Sequence, residues 1–95
     1  AGGMRILEPA LDLSIVAAIL SSYKNRAYPG RVICFGEVGL TGEVRAVGQA
    51  GQRVMEAEKL GFEVCILPSS NLSSVSSKNV KLIGIRHVQE LLQLL

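Results

Sequence analysis

Few side chains in this 95-residue chain could act as nucleophile, base or ligand. The thiols are Cys34 and Cys65, each set in an apolar run, Val32-Ile33-Cys34-Phe35 and Val64-Cys65-Ile66-Leu67. Such surroundings predict two buried free thiols in strands. There is no CxxC spacing, and His87 is the single histidine, so neither a metal pair nor a disulfide is indicated. Ser14 follows Ala10 by one helical turn and reads as a small polar residue in a packed helix; no buried lysine is available to activate it. His87 reads as a surface cap or a half-buried polar group, not a catalyst.

Binding chemistry is better represented. Lys24, Arg26 and Arg31 flank the end of the first apolar segment, Arg45 and Arg53 lie in and after a glycine-punctuated stretch, and Lys59, Lys78, Lys81 and Arg86 follow. A cluster of such side chains on one face could neutralise phosphates in a sequence-independent, salt-sensitive way. The net charge of +2 neither demonstrates nor excludes such a surface. The aromatic residues are Tyr23, Tyr28, Phe35 and Phe62, too few for a base-stacking platform. The glycines at 36, 39 and 42 fall in a hairpin, no G-x-x-x-x-G-K-[ST] string occurs, and nucleotide binding in this chain is not expected.

These residues must be held by a small, aliphatic core. Residues 8–25 predict a helix that opens on Pro9, with Glu8 and Asp12 at its positive end, and stops near Lys24-Asn25-Arg26. Leu11 to Leu20 is apolar on nearly every side, which predicts a centrally buried helix. Residues 31–37 predict a strand, and Gly39 to Gly42 a turn into a second strand over 43–47. A second helix over 50–60 carries Val54, Met55, Ala57 and Leu60 as its apolar stripe and ends at Gly61. A strand over 63–67 ends at Pro68. The serine-rich segment 69–77 predicts a solvated loop or short helical turn. A strand over 80–85 and a helix over 87–95, with Val88, Leu91, Leu92 and Leu95 on one side, complete the chain. The predicted class is α+β: one domain, a mixed sheet of about four strands, and three helices. No apolar run spans a membrane, the cysteine usage fits a cytoplasmic setting, and the start at Ala1-Gly2-Gly3-Met4 reads like a cut inside a larger protein.

The string Gly36-Glu37-Val38-Gly39-Leu40-Thr41-Gly42-Glu43-Val44-Arg45 resembles the C-terminal domain of the bacterial RadA (Sms) family of DNA-repair proteins. So do Gly2-Gly3-Met4-Arg5, Glu8-Pro9-Ala10, Asp12-Leu13, and Arg53, Glu56, Ala57 and Lys59-Leu60-Gly61-Phe62. That domain is in turn similar to the proteolytic domain of Lon, with a ribosomal-S5-domain-2-like fold. The resemblance implies a Lon-type domain that lacks its N-terminal strands here. Lon proteases use a serine in a Pro-Ser-Ala-Gly pattern and a lysine in Gly-Gly-x-Lys-Glu-Lys. Laid on this chain, the serine position falls on Ala10, the catalytic lysine on Gly51 and the second lysine on Arg53. Alanine has no oxygen to attack with, glycine carries no base, and arginine stays protonated.

The resemblance therefore implies a pseudo-protease serving as a scaffold for double-stranded DNA binding and ring assembly. In the parent it implies a zinc finger and a RecA-like ATPase, with ATP, Mg and Zn, a hexameric ring and a possible recombinase partner. No cofactor, metal or membrane is implied for this chain itself. Lys24, Arg26, Arg45 and Arg53 are the expected DNA-binding residues, and Glu37, Glu43 and Glu56 the expected subunit-interface residues. The alternatives are a small Lon-like serine peptidase with an unrecognised nucleophile, and a pure oligomerisation module without DNA contact.

Overall fold

A computed structural model describes residues 8–94. The Gly2–Arg5 part of the resemblance and Leu95 lie outside the described residues. Among the described residues are three α-helices and five strands, and the strands form two sheets rather than the single one of about four strands expected. The chain enters through a 3-10 turn, Pro9–Leu11, that runs into α1 (Asp12–Lys24). Then follow β1 (Val32–Cys34), β2 (Glu37–Val38), β3 (Val44–Arg45), α2 (Ala50–Lys59), β4 (Val64–Pro68), β5 (Lys81–Ile85) and α3 (Leu91–Leu94). Strands β1, β4 and β5 form a parallel sheet in that order; β2 and β3 form a separate antiparallel hairpin.

The central strand β4 is buried along its whole length, as a parallel strand covered on both faces must be. Its side chains alternate between two compartments. Cys65 and Leu67 join Ala10, Phe35, Ala50 and Val54 on the α2 side. Val64 and Ile66 join Leu13, Ile85 and Leu91 on the α1 and α3 side. Cys65 is registered opposite Ile33, so Cys34, one residue further along β1, points to the other face. Both thiols are free. Desolvation raises Cys34 to about 11 and Cys65 to about 12, the latter pushed further by Cys34.

The single strand expected over 31–37 divides in two at Gly36. Phe35 N–H still donates to Ile66 C=O in the parallel ladder. Gly36 instead turns to the start of α1: its N–H donates to Ala10 C=O (2.8 Å) and its C=O accepts from Leu13 N–H (2.9 Å). A Cβ there would meet Pro68 and Val44 at 3.2 Å and Leu13 at 3.3 Å, which is why glycine stands at the crossing.

The central burial expected for α1 is not found. Leu13 is buried, and Val16, Ala17 and Leu20 pack on the sheet, the stripe that 3.6 residues per turn allows one flat partner to cover. Ile15 (55% exposed), Ile19 (62%) and Tyr23 (86%) face outward. Likewise Ala50, Val54 and Ala57 form the buried stripe of α2, while Met55 and Leu60 are exposed. In the last segment Leu91 is buried and Leu92 is exposed.

The serine-rich segment forms a 3-10 turn, Ser69–Ser74, the short helical turn expected there; Ser70, Ser73, Ser74 and Ser76 are exposed, while Asn71 docks the turn. Asn71 is buried; its side-chain oxygen accepts from Val47 N–H (3.0 Å) and its amide donates to Val47 C=O (3.1 Å). This pair of bonds replaces the ladder that the expected strand over 43–47 would have made at Val47. Asn71→Ala leaves both Val47 groups without their partner. It should cost roughly 1–3 kcal/mol in a thermal or urea melt, and a melt unchanged from wild type would show that the clamp carries no stability.

Candidate functional site

Ala10 is buried beside Phe35, Ala50 and Val54, and its backbone edge lines a cleft of about 210 Å³ with Glu8, Glu37, Val47, Gly48 and Arg53. The residue that closes this cleft is Arg53. Its Nε donates to Gly48 C=O (3.1 Å), one terminal nitrogen reaches the Glu8 carboxylate (2.9 Å), and its guanidinium lies 5.9 Å from the Phe35 ring centre. Gly51 is exposed and does not line the cleft; a Cβ on it would meet only Ser74 C=O, at 3.7 Å. An arginine–glutamate pair thus occupies the cleft at Ala10, while Ala50, the residue before Gly51, packs in the core cluster with Ala10. Ser14 donates to Leu11 C=O (2.7 Å), the ordinary back-bond of a helical serine.

Both acidic residues expected merely to favour the α1 dipole have tertiary partners. Glu8 pairs with Arg53, and Asp12 accepts the Val38 N–H (3.1 Å), tying the hairpin to the helix start.

The hairpin turn is fastened from two sides. Glu43 accepts from Thr41 N–H (3.1 Å), Thr41 Oγ1 (2.6 Å) and Arg45 (2.8 Å). The Thr41 hydroxyl first, and then the Arg45 guanidinium, hold the Glu43 carboxyl down at about 2. Arg45, its own pKa raised by Glu43, also reaches Glu37 at 3.7 Å. From the other side His87 Nε2 donates to Thr41 C=O (2.8 Å), while its Nδ1 accepts from Gln89 N–H (3.1 Å). Glu90 accepts from Arg86 and His87 N–H and completes a capping box. His87 is therefore the cap that its sequence position suggested, and it also holds the turn. Gly42, at φ +90°, gives the imidazole room. Leu40, at the tip, touches nothing and is fully exposed. Sequence reasoning passed over it, although a lone leucine in a Gly-x-x-Gly turn is itself a signal.

The four expected DNA contacts do not form one patch. Arg45 and Arg53 are paired within the chain to Glu37, Glu43 and Glu8. Lys24 and Arg26 are exposed near the far end of α1, about 20 Å along the helix from Ala10. They have no ion-pair partner among the described residues. Glu37 and Glu43 are committed to Arg45, and Glu56 is exposed on α2. No group of three or more His, Cys, Asp or Glu among the described residues could hold a metal ion. No helix among them is long and apolar enough to cross a membrane.

A family model described as subunit ChlI of Mg-chelatase matches residues 3–71. The DNA repair protein RadA of Bacillus subtilis is 48% identical over 98% of this chain, RadA of Halalkalibacterium halodurans 45% over 98%, and RadA of Streptococcus pneumoniae 42% over 98%. This chain covers 20%, 21% and 22% of those relatives, about a fifth of their length.

Glu43 supplies a pH test. A carboxyl held below its ordinary value stabilises the fold above that value, and the contribution is lost as pH falls towards about 2. Glu43→Gln should melt below wild type near neutral pH, with the gap closing between about pH 4.5 and pH 2. A gap that does not vary over that range would mean the carboxylate charge plays no part in the turn.

Proposed function

Because this chain belongs to the family described as subunit ChlI of Mg-chelatase, and its whole length is shared with a segment of RadA proteins, we propose that it is a non-catalytic, Lon-like scaffold domain of a RadA-type DNA-repair and recombination protein. The observation that carries the reading is identity of 38–48% running from end to end with proteins named for DNA repair. In this reading the domain has the Lon proteolytic, ribosomal-S5-domain-2-like fold. It helps subunits assemble into a ring and grip duplex DNA in the cytoplasm. The ATP- and Mg-dependent motor, the zinc finger and any contact with a recombinase belong to other parts of the parent.

The chemistry of the Ala10 cleft supports a scaffold over a peptidase. A methyl group cannot attack a carbonyl, and Arg53, ion-paired and always protonated, cannot take a proton from a neighbouring hydroxyl. Ser14 has its hydroxyl committed to Leu11, and no lysine or histidine hydrogen-bonds to it among the described residues.

Lys24 and Arg26 are the favoured phosphate contacts: both are exposed, they lie two residues apart at the end of α1, and neither has an ion-pair partner among the described residues. Each such contact releases counterions and steepens the salt dependence of binding.

Two experiments test these roles. A serine-reactive phosphonate probe and a casein digest should give no signal, and labelling at Ser14 would restore the peptidase. Lys24→Ala with Arg26→Ala in the full-length RadA-type protein should weaken duplex binding uniformly across sequences. The log–log salt slope should become shallower by about 1 for each lost contact. Unchanged affinity and slope would remove these two residues from the DNA surface.

A further inference from the structure

The end at which the parallel strands begin collects cations. Gly36, two residues past β1, is bonded to Ala10 and Leu13, so α1 starts there and runs back alongside the strand. That direction carries Lys24 and Arg26 to the end where β1, β4 and β5 start. There α2 ends on Lys59 shortly before β4, β5 opens on Lys81, and Arg31 and Lys78 stand just before β1 and β5. All six are exposed, and none has an ion-pair partner among the described residues. The carboxylates beside them are Glu58, bonded to Asn79, and Glu63, which accepts the Arg31 backbone N–H.

Arg31 differs from the other five in how it is held. Its guanidinium lies over the Phe62 ring, 4.8 Å from the centre. Its backbone is bonded twice to Glu63: the Arg31 N–H donates to the carboxylate (2.9 Å), and the Arg31 C=O accepts the Glu63 N–H (2.9 Å). Gly61, at φ +83°, leaves room for the side chain, since a Cβ there would meet a terminal nitrogen at 3.3 Å. The guanidinium makes no hydrogen bond of its own among the described residues. A phosphate needs only a charge, which a mobile lysine supplies. A delocalised cation seated on an aromatic ring is prepared for a flat ligand as well. The chain has too few aromatic residues for a platform of rings, and a guanidinium backed by one of them takes that place.

We propose that Arg31 and Phe62 form a site for an unpaired nucleotide strand, in which a base stacks on the guanidinium and adjoining phosphates contact Lys59 and Lys81. Lys59 stands two residues before Gly61. Lys81 is registered with Val64, and Val64 with Val32, which puts it two strand spacings, about 10 Å, from Val32 beside Arg31. In a duplex the bases stack on one another and offer no face to Arg31, so the site selects single strands. It is distinct from the duplex contact proposed for Lys24 and Arg26 and does not depend on it.

The test uses the full-length RadA-type protein carrying this sequence, with oligothymidine and oligouridine of about 16 nucleotides, each bearing one 5-iodouracil. On irradiation the modified base should crosslink to Phe62, a readout blind to strands held elsewhere on the parent. The oligonucleotide that saturates this crosslink at lower concentration tells DNA from RNA. Arg31→Lys keeps the charge and loses the plane; it should raise the half-saturating concentration about five- to hundredfold, the worth of one stacked base. Its duplex affinity should stay at the wild-type value. Lys81→Ala should make the log–log salt slope for the strand shallower by about 0.7. Arg31 is exposed, so neither melting temperature should move. Absence of a Phe62 crosslink with both oligonucleotides overturns the site. An Arg31→Lys protein that crosslinks like wild type reduces it to charge alone and overturns the stack. Equal losses for strand and duplex do the same. Duplex affinity unchanged in the Lys24 and Arg26 variants defeats that contact and leaves this one standing.

Discussion

The approach of the chain to itself at Gly36 is the constraint on which the rest depends. There the residue after the first strand exchanges hydrogen bonds with Ala10 and Leu13 and leaves the parallel sheet. A Cβ there would lie 3.2–3.3 Å from Leu13, Val44 and Pro68, so side chains of α1, β3 and β4 would each have to give by a few tenths of an ångström. One bare Cα thus fixes the start of the helix, the departure of the hairpin and the end of the central strand. The Ala10 cleft, the Asp12–Val38 bond and the position of the hairpin all follow from it.

Much of this was legible in the sequence. The order of helices and strands, the proline entry to α1, the glycine exit from α2, the hairpin and the His87 cap follow from local signals, and local contacts fix them in the structure. What was not legible depended on contacts between distant residues. The apolar run from Leu11 to Leu20 cannot say that a sheet will cover only one of its stripes, so Ile15 and Ile19 remain outside. The run over 31–37 cannot say that its glycine is claimed by Ala10 and Leu13 at the start of α1. The serines over 69–77 read as solvated, and Ser70, Ser73, Ser74 and Ser76 are exposed, but the sequence does not show that Asn71 docks the turn on Val47, 24 residues upstream. Pairing of Arg45 and Arg53 with Glu43, Glu37 and Glu8 was equally invisible, since sequence counts charges without saying which are already matched.

Function follows from what each surface has left over. Where the Lon pattern would put a nucleophile there is a methyl group, and beside it an arginine whose charge is satisfied by Glu8. The hairpin cations are satisfied too. Among the described residues Lys24 and Arg26 share their lack of an ion-pair partner with Arg31, Lys59, Lys78, Lys81 and Arg86, and the recess between α1, β1 and α3 is apolar.

The alternation of side chains along β4 has one more consequence. Because the sheet is a single strand-layer thick and Cys65 and Ile66 look in opposite directions, the interior is two rooms sharing a wall. A volume change beside Val54 is felt by Phe35 and Leu67, while Leu13 and Leu91 stay behind the backbone of three hydrogen-bonded strands. The α2 side and the α1 side can therefore drift in sequence on separate schedules, each compensating its own losses.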